Sequence, residues 1–415
     1  MTQTGPHWFS PEPSEITSSR LSVDLGLRKA VLFFSELVVP GIGNVRFARQ
    51  LSWAVASLAL YQELKTRGRS APKPSAICRG IEALACKLEY RFGEGKTRRI
   101  RGQRAFDRDS EHELWSFDAL RRPKNYVRNT FRQDSTRALK TQGGLGFATG
   151  SRFDGLELES VGQELADAFL GQRVRVGRGG WSLRDWLLAW LDCENRCDSD
   201  AAPRSETLIK ALSPESPQEA ERALIRARLF GTEAEESETR RHLACVVVRK
   251  GPPPSEDEIA ERLRRAGREQ QARDVEAAFA FGKMLDHARG VVWQLTSLVE
   301  RERGVPMGQA ARDADILEAL DSLRTASDDF AEKAEQGPDE ATSKSFAKAV
   351  TTLDDESLIR FLADRERELF VVADGRIVRG PLFRALDGAE RDGRPDFRVG
   401  NLRSLARDVG FRGRS

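Results

Sequence analysis

Asn125–Gly171 reads NYVRNTFRQDSTRALKTQGGLGFATGSRFDGLELESVGQELADAFLG. In its first part Val127, Phe131, Ala138 and Leu139 fall near helical spacing, which predicts a helix over 125–142 closed by Gly143-Gly144. The other face of that helix offers Asn125, Arg128, Asn129, Arg132, Gln133, Arg137 and Lys140, residue types that contact phosphates and base edges. Leu145 to Thr149, a turn over 150–155 that carries Arg152, and Leu156 to Glu159 predict a hairpin. Ser160, with Gln163 three residues later, reads as a capping box that opens a further helix through Leu165, Ala166 and Phe169 to Gly171.

The same region concentrates charge. Between Arg91 and Arg152 stand fifteen Lys or Arg against seven Asp or Glu, while the whole chain carries only +3. Segregated charge on a foldable element points to a polyanion partner, and a nucleic acid is the expectation. Upstream, the run Lys96–Arg108 contains Arg98, Arg99, Arg101 and Arg104, has little apolar periodicity, and reads as an exposed basic arm that lies along a phosphate backbone. Lys124 adjoins the start of the expected helix and joins the contact set. A second reading of the same charge stays open. The basic face would then dock an acidic protein partner, and the chain would be an adaptor or scaffold.

Helix, short hairpin with a basic tip, and capped helix resemble a bacterial winged helix-turn-helix module. The run from Leu156 to Ala166 is similar to the "L-T-x-x-G-x-x-L-A" exit from the wing. The resemblance covers residues 100–170 of 415. It implies a winged-helix-like domain over 76–172 that binds DNA more readily than RNA. A large Arg-rich chain without an enzyme motif also resembles a subunit of a larger bacterial machine, such as an anti-phage defence or CRISPR-type assembly. That likeness implies partner subunits and a non-catalytic role.

Elsewhere the pattern predicts a mainly α, multidomain protein with a few short β-hairpins. Residues 1–20 read as a flexible tail and 21–75 as a helical region. Within the latter, the apolar segment around Leu51–Tyr61 is expected at the centre of a core or against a partner. Residues 173–250 read as a mixed region with a strand or turn near Val174 and an aromatic-rich helix holding Trp181, Trp186 and Trp190. Core packing is the ordinary reading of those tryptophans and an exposed interface the sharper one. Ser216-Pro217-Gln218-Glu219 predicts a helix start with its own capping box. Pro252-Pro253-Pro254 marks a linker, and Ser255 caps a helical region over 251–335. Its seam, Phe281, Leu285, Ala288, Val292, Leu295 and Val299, has bundle spacing, although glycines 267, 282 and 290 argue against one uninterrupted rod. Residues 336–415 read as a small helical or winged module with an Asp374-Gly375 turn.

Catalytic chemistry finds little footing. Cys193 and Cys197 with His242 and Cys245 are loosely compatible with zinc, but the pairs lie far apart and packed or surface thiols are the preferred reading. The four histidines form no recognisable catalytic pattern, and His287 is expected as a core or interface residue. No phosphate-loop motif occurs, so no cofactor and no metal are assigned. The acids of Asp354-Asp355-Glu356 and of Asp364, Glu366 and Glu368 could suggest a nuclease, yet read better as solvated helix faces. Residues 1–20 lack the apolar stretch of a secretory signal, no run reaches the ~20 apolar residues of a membrane span, and the five cysteines are scattered. A cytoplasmic protein is expected.

Overall fold

The computed structural model describes residues 23–93, 99–108, 115–176, 179–192, 203–215, 217–232, 234–248, 252–302, 304–335, 340–383 and 395–413. The chain is mainly helical. Helices α1 (Arg28–Val38), α2 (Arg49–Thr66), α3 (Pro74–Phe92), α4 (Gln103–Arg108) and α5 (Phe117–Leu120) lead to a 3-10 turn (Pro123–Asn125) and α6 (Phe131–Leu139). The pair β1 (Ala148–Thr149) and β2 (Glu157–Leu158) precedes α7 (Ser160–Leu170), and the pair β3 (Arg173–Val176) and β4 (Gly179–Ser182) precedes α8 (Leu183–Leu191). Next come α9 (Glu206–Leu212), α10 (Glu219–Phe230), α11 (Glu235–Val247), α12 (Glu256–Arg265) and the long α13 (Glu269–Glu302). The remaining elements are β5 (Val305–Pro306), α14 (Met307–Ala310), α15 (Ala314–Glu335), α16 (Ala341–Thr352), α17 (Asp355–Arg365), β6 (Phe370–Ala373), β7 (Arg376–Arg379) and α18 (Val399–Asp408).

Two compact units result. The larger holds residues 32–279 and 395–413, and the smaller holds 23–31 and 280–383. In the larger unit α2 is the hub, packed by α3, α6, α7, α8 and β2. Its residues from Arg49 to Leu60 are buried all round the helix, as expected of a helix with apolar or small side chains on every face. The charge at its start is answered inside the core. Arg49 Nη1 donates to Glu221 Oε1 of α10 at 3.0 Å, with both side chains fully buried. Ser52 Oγ donates to the other carboxylate oxygen at 2.6 Å, and the guanidinium lies 5.2 Å over the Phe169 ring of α7. One buried cluster thus ties α2, α7 and α10.

Several sequence expectations need correction. The helix expected over 125–142 is only α6, because Pro123 opens a 3-10 turn and Tyr126 adopts a non-helical backbone. Tyr126 is buried, its ring stacked on Phe106 at 6.0 Å and its hydroxyl 3.4 Å from Cys86 Sγ. Burying that ring outweighs continuing the helix. Asn125, Arg128 and Asn129 therefore precede α6. At its other end the chain folds back at once, with Leu145 N–H donating to Ala138 O and Phe147 N–H to Leu139 O. Gly146 (φ +76°) takes the left-handed backbone this reversal needs. The expected arm over 96–108 is not structureless in its described part: 103–108 form α4, with Ala105 and Phe106 buried. Ser160 is the first helical residue of α7 and Glu159 precedes it, so the Ser160–Gln163 capping box does not form. Gln163 Nε2 donates to Asp167 instead.

Other boundaries follow local chemistry. Gln218 caps α10 with Glu221 reciprocating, two residues beyond the expected box, while Ser216 lies outside the described residues. Ser255 Oγ accepts from Glu258 N–H at the start of α12. The chain breaks at Gly267 but runs through Gly282 and Gly290 inside α13, whose whole seam from Phe281 to Val299 is buried. His287 is exposed on that helix, not a core residue. In the smaller unit β5, β7 and β6 form one antiparallel sheet. The Asp374-Gly375 turn has φ +49° and +70°, the two positive values a tight hairpin of this twist requires. Glu366 is not on a solvated helix face. It follows α17, is buried, and accepts from Leu25 N–H at 2.6 Å, while Arg365 donates to Leu25 O.

The Arg49–Glu221 pair sets a stability test. Glu221→Ala leaves a buried guanidinium without its carboxylate and is expected to cost about 3–5 kcal/mol in urea unfolding. The double replacement Arg49→Met with Glu221→Leu should recover most of that loss. A cost for the single change near the ~0–1 kcal/mol of an exposed pair would contradict this account.

Candidate nucleic-acid interface

The basic region is organised around the start of α6. A nine-residue helix cannot hold itself together in water and needs acceptors for its first N–H groups. Glu82, on α3 and fully buried, supplies them. Its Oε2 accepts from Phe131 N–H at 2.9 Å and its Oε1 from Arg132 N–H at 2.6 Å. Gln133 Oε1 accepts from Thr130 N–H at 3.0 Å. Cys78 Sγ completes the carboxylate's surroundings at 3.4 Å. Burial pushes the Glu82 carboxyl up to about 7, against the pull of Cys78, the two backbone N–H groups and Arg101. The same burial raises the Cys78 thiol and takes Cys86 to about 12, so both stay protonated and neither is a nucleophile.

Arginines then lash the region to its neighbours. Arg101 donates to Asn129 O at 2.9 Å and to Asp134 Oδ2 at 2.5 Å, with its guanidinium 4.2 Å over the Phe131 ring. Arg99 forks onto Asp408 of α18 at 2.7 and 2.9 Å. Arg137 reaches Glu36 of α1 at 3.0 Å. Arg132 lies 5.2 Å over the Phe153 ring, which sets the α6 side chain beside the hairpin tip. That tip is anchored from its other side, where Asp154 accepts from Ser75 N–H at 2.7 Å and from Ser75 Oγ at 3.0 Å.

A different set of cations faces solvent. Arg104 on α4, Arg122 and Lys124 at the 3-10 turn, Arg128 in the loop before α6, and Arg152 at the hairpin tip are all exposed. None of the five pairs with an acid among the described residues. The 3-10 turn packs on both α4 and α5, which gathers Arg104, Arg122 and Lys124. The remaining residues of the expected contact set divide as follows. Asn125 is half-buried with Nδ2 on Ala119 O, Asn129 and Gln133 are exposed, Lys140 is half-buried, and Arg98 lies outside the described residues. Sequence reasoning missed Glu82, although an acid at the centre of the apolar stripe Cys78, Ile81 and Ala85 marks a buried carboxylate with a partner to find.

Catalytic alternatives gain no geometry. Among the described residues no three His, Cys, Asp or Glu side chains are grouped to hold a metal ion. Cys193 and Cys197 lie outside the described residues. His242 Nε2 sits 2.9 Å from Arg268 Nη2, and burial followed by that guanidinium lowers its pKa. Asp354 caps α17 by accepting from Ser357 N–H. No described helix is long and apolar enough to cross a membrane. Comparison with protein-family models, curated proteins and solved structures gives no match.

Glu82 makes stability depend on pH. Its carboxyl is raised from 4.5 to about 7 in the folded protein, so the native state holds the proton more tightly than the unfolded chain. Its stabilising contribution is complete below about pH 4.5 and is lost as pH rises through about 7, up to roughly 3 kcal/mol at 1.36 kcal/mol per unit. Glu366, also raised to about 7 by burial, acts with the same sign in the smaller unit. Urea unfolding at pH 5 and pH 8 should therefore show lower stability at pH 8, and Glu82→Gln should flatten that difference for the larger unit. An unchanged slope in the variant would refute the assignment.

Proposed function

We propose that this protein is a non-catalytic nucleic-acid-binding subunit of a larger assembly, and that it binds through the face carrying Arg104, Arg122, Lys124, Arg128 and Arg152. The observation that carries this reading is the division of labour among its cations. Arg99, Arg101 and Arg137 are consumed by Asp408, Asp134 and Glu36, whereas these five are exposed with no acid partner among the described residues. Unneutralised cations on a well-fixed scaffold suit a phosphate backbone, where counterion release supplies the affinity.

The scaffold is read as winged-helix-like: α6 is the short helix, β1–β2 the wing with Arg152 at its tip, and α7 the helix after the wing. The module is assigned to 76–172. DNA is the favoured ligand, and partner subunits in a bacterial defence-type machine complete the proposal.

Electrophoretic mobility shifts with duplex DNA, single-stranded DNA and RNA at about 50 and about 200 mM salt test it. Duplex binding should weaken steeply between the two. The combined change Lys124→Glu, Arg128→Glu, Arg152→Glu should lower affinity by about tenfold or more and reduce the salt slope by about 0.9 for each phosphate that is no longer neutralised. Absence of binding near physiological salt with this face intact would overturn the proposal.

A further inference from the structure

The chain just before α1 is held in a conformation it would not keep by itself. Leu25 (φ +51°) and Gly26 (φ +69°) are consecutive residues in the left-handed region, which favours glycine. A leucine stays there only when its surroundings over-determine it. The Leu25 and Leu27 side chains are fully buried. Asp24 closes the turn, its Oδ1 accepting from Gly26 N–H at 2.9 Å and its carbonyl from Leu27 N–H at 2.7 Å.

Two consecutive residues at the end of α17 grip Leu25 by both of its backbone polar groups. Glu366 Oε1 accepts from Leu25 N–H at 2.6 Å, and Arg365 Nη1 donates to Leu25 O at 2.7 Å. The fit is close, since a Cβ on Gly26 would stand 3.2 Å from Arg365 Nη1. The Arg365 guanidinium lies 5.2 Å from the centre of the Phe346 ring and 4.6 Å from that of Phe361, which steadies its direction. Arg289 Nε of α13 donates to Val23 O at 2.9 Å. All of these residues belong to the smaller unit.

We propose that Arg365 and Glu366 form a proton-operated latch on the segment before α1, closed on Leu25 while the Glu366 carboxyl is neutral and released when it ionises. Burial raises that carboxyl to about 7, and the charges of Asp24 and Glu368 add to the rise, against the pull of the Leu25 and Asp24 backbone N–H groups. Asp24 faces it from the held segment and Glu368 from the chain leading to β6. The cations nearby, Arg365 and Arg289, are engaged with backbone carbonyls. Once the segment is released, the carboxyl meets water and returns to the ordinary carboxylate range. The closed form therefore holds the proton more tightly, and ionisation favours opening. Opening also lets Leu25 leave its left-handed backbone. The latch is tightest below about pH 4.5 and loosens as pH rises through about 7. It operates whether or not the larger unit binds nucleic acid.

Hydrogen–deuterium exchange of the full chain at pH 5 and pH 8, corrected for the intrinsic pH dependence of amide exchange, reads the latch directly. Protection of residues 25–27 should fall by about tenfold or more between the two, while the α13 seam from Phe281 to Val299 stays protected at both. Glu366→Gln remains neutral and should keep residues 25–27 protected at pH 8. Glu366→Ala removes the acceptor and should expose them at both pH values, with the α13 seam reporting that the unit is still folded. Equal corrected protection of residues 25–27 at the two pH values in the wild-type protein would overturn the proposal, as would a pH difference that survives in Glu366→Gln. A loss shared equally by the α13 seam would assign the change to unfolding of the whole unit and overturn it as well.

Discussion

The buried carboxylate of Glu82 is the interaction on which the basic region depends. It stands on α3, and the two N–H groups it accepts belong to residues 49 and 50 positions later in the chain. A short helix has orphan donors at its start, and water normally satisfies them. Here Phe131 is buried and water has little access, so a protein acceptor must take over. One carboxylate meets two donors at once and fixes α6 to α3 in both position and direction. Everything downstream inherits that placement: Arg132 comes to rest on Phe153, and the β1–β2 tip stands where Asp154 can hold the start of α3.

Arginine serves two purposes in this chain, and composition alone cannot separate them. Arg240 is almost fully buried and donates to Leu229 O, Arg228 O, Ser237 Oγ and Pro40 O, closing the end of α10 against the Pro40 turn. Arg49 holds α2 to α10, and Arg398, beside α18, joins Arg137 on Glu36. The planar fork of a guanidinium suits this work because it satisfies several carbonyls or both oxygens of a carboxylate from one side chain. Part of the charge excess between Arg91 and Arg152 is therefore internal bracing. The excess available to a ligand is smaller than the sequence count, and more localised.

Periodicity made much of the fold legible. The apolar circumference of α2, the seam of α13, the Asp374-Gly375 turn and the Ser255 cap are each written in residues close together along the chain, and each formed where its pattern lay. What escaped was decided by contacts distant in sequence. Tyr126 abandons the helix because Phe106 and Cys86 wait for its ring. Glu366 leaves the solvated face because Leu25 presents an N–H to it. Trp181, on β4, stays partly exposed while Trp186 and Trp190, on α8, are buried. For the interface, the residue types were readable but their employment was not, since nothing local announces that Arg99 will meet Asp408 or Arg101 will meet Asp134.

The placement of the free cations also bears on how a ligand would be read. If α6 were a long helix laid in a groove, its polar face would carry the recognition. Instead α6 has nine residues, Arg132 is folded onto an aromatic ring, and Arg137 is tied to Glu36. The exposed cations with no acid partner among the described residues stand on the short helix α4, around the 3-10 turn, in the loop before α6 and at the hairpin tip. Such an arrangement can touch phosphates on either side of a groove while bringing few donors to base edges. Phosphate contacts position a protein without reading sequence, whereas bidentate base contacts specify it. On the proposed reading, affinity would come from charge and selectivity from the shape of the nucleic acid, with base identity contributing little.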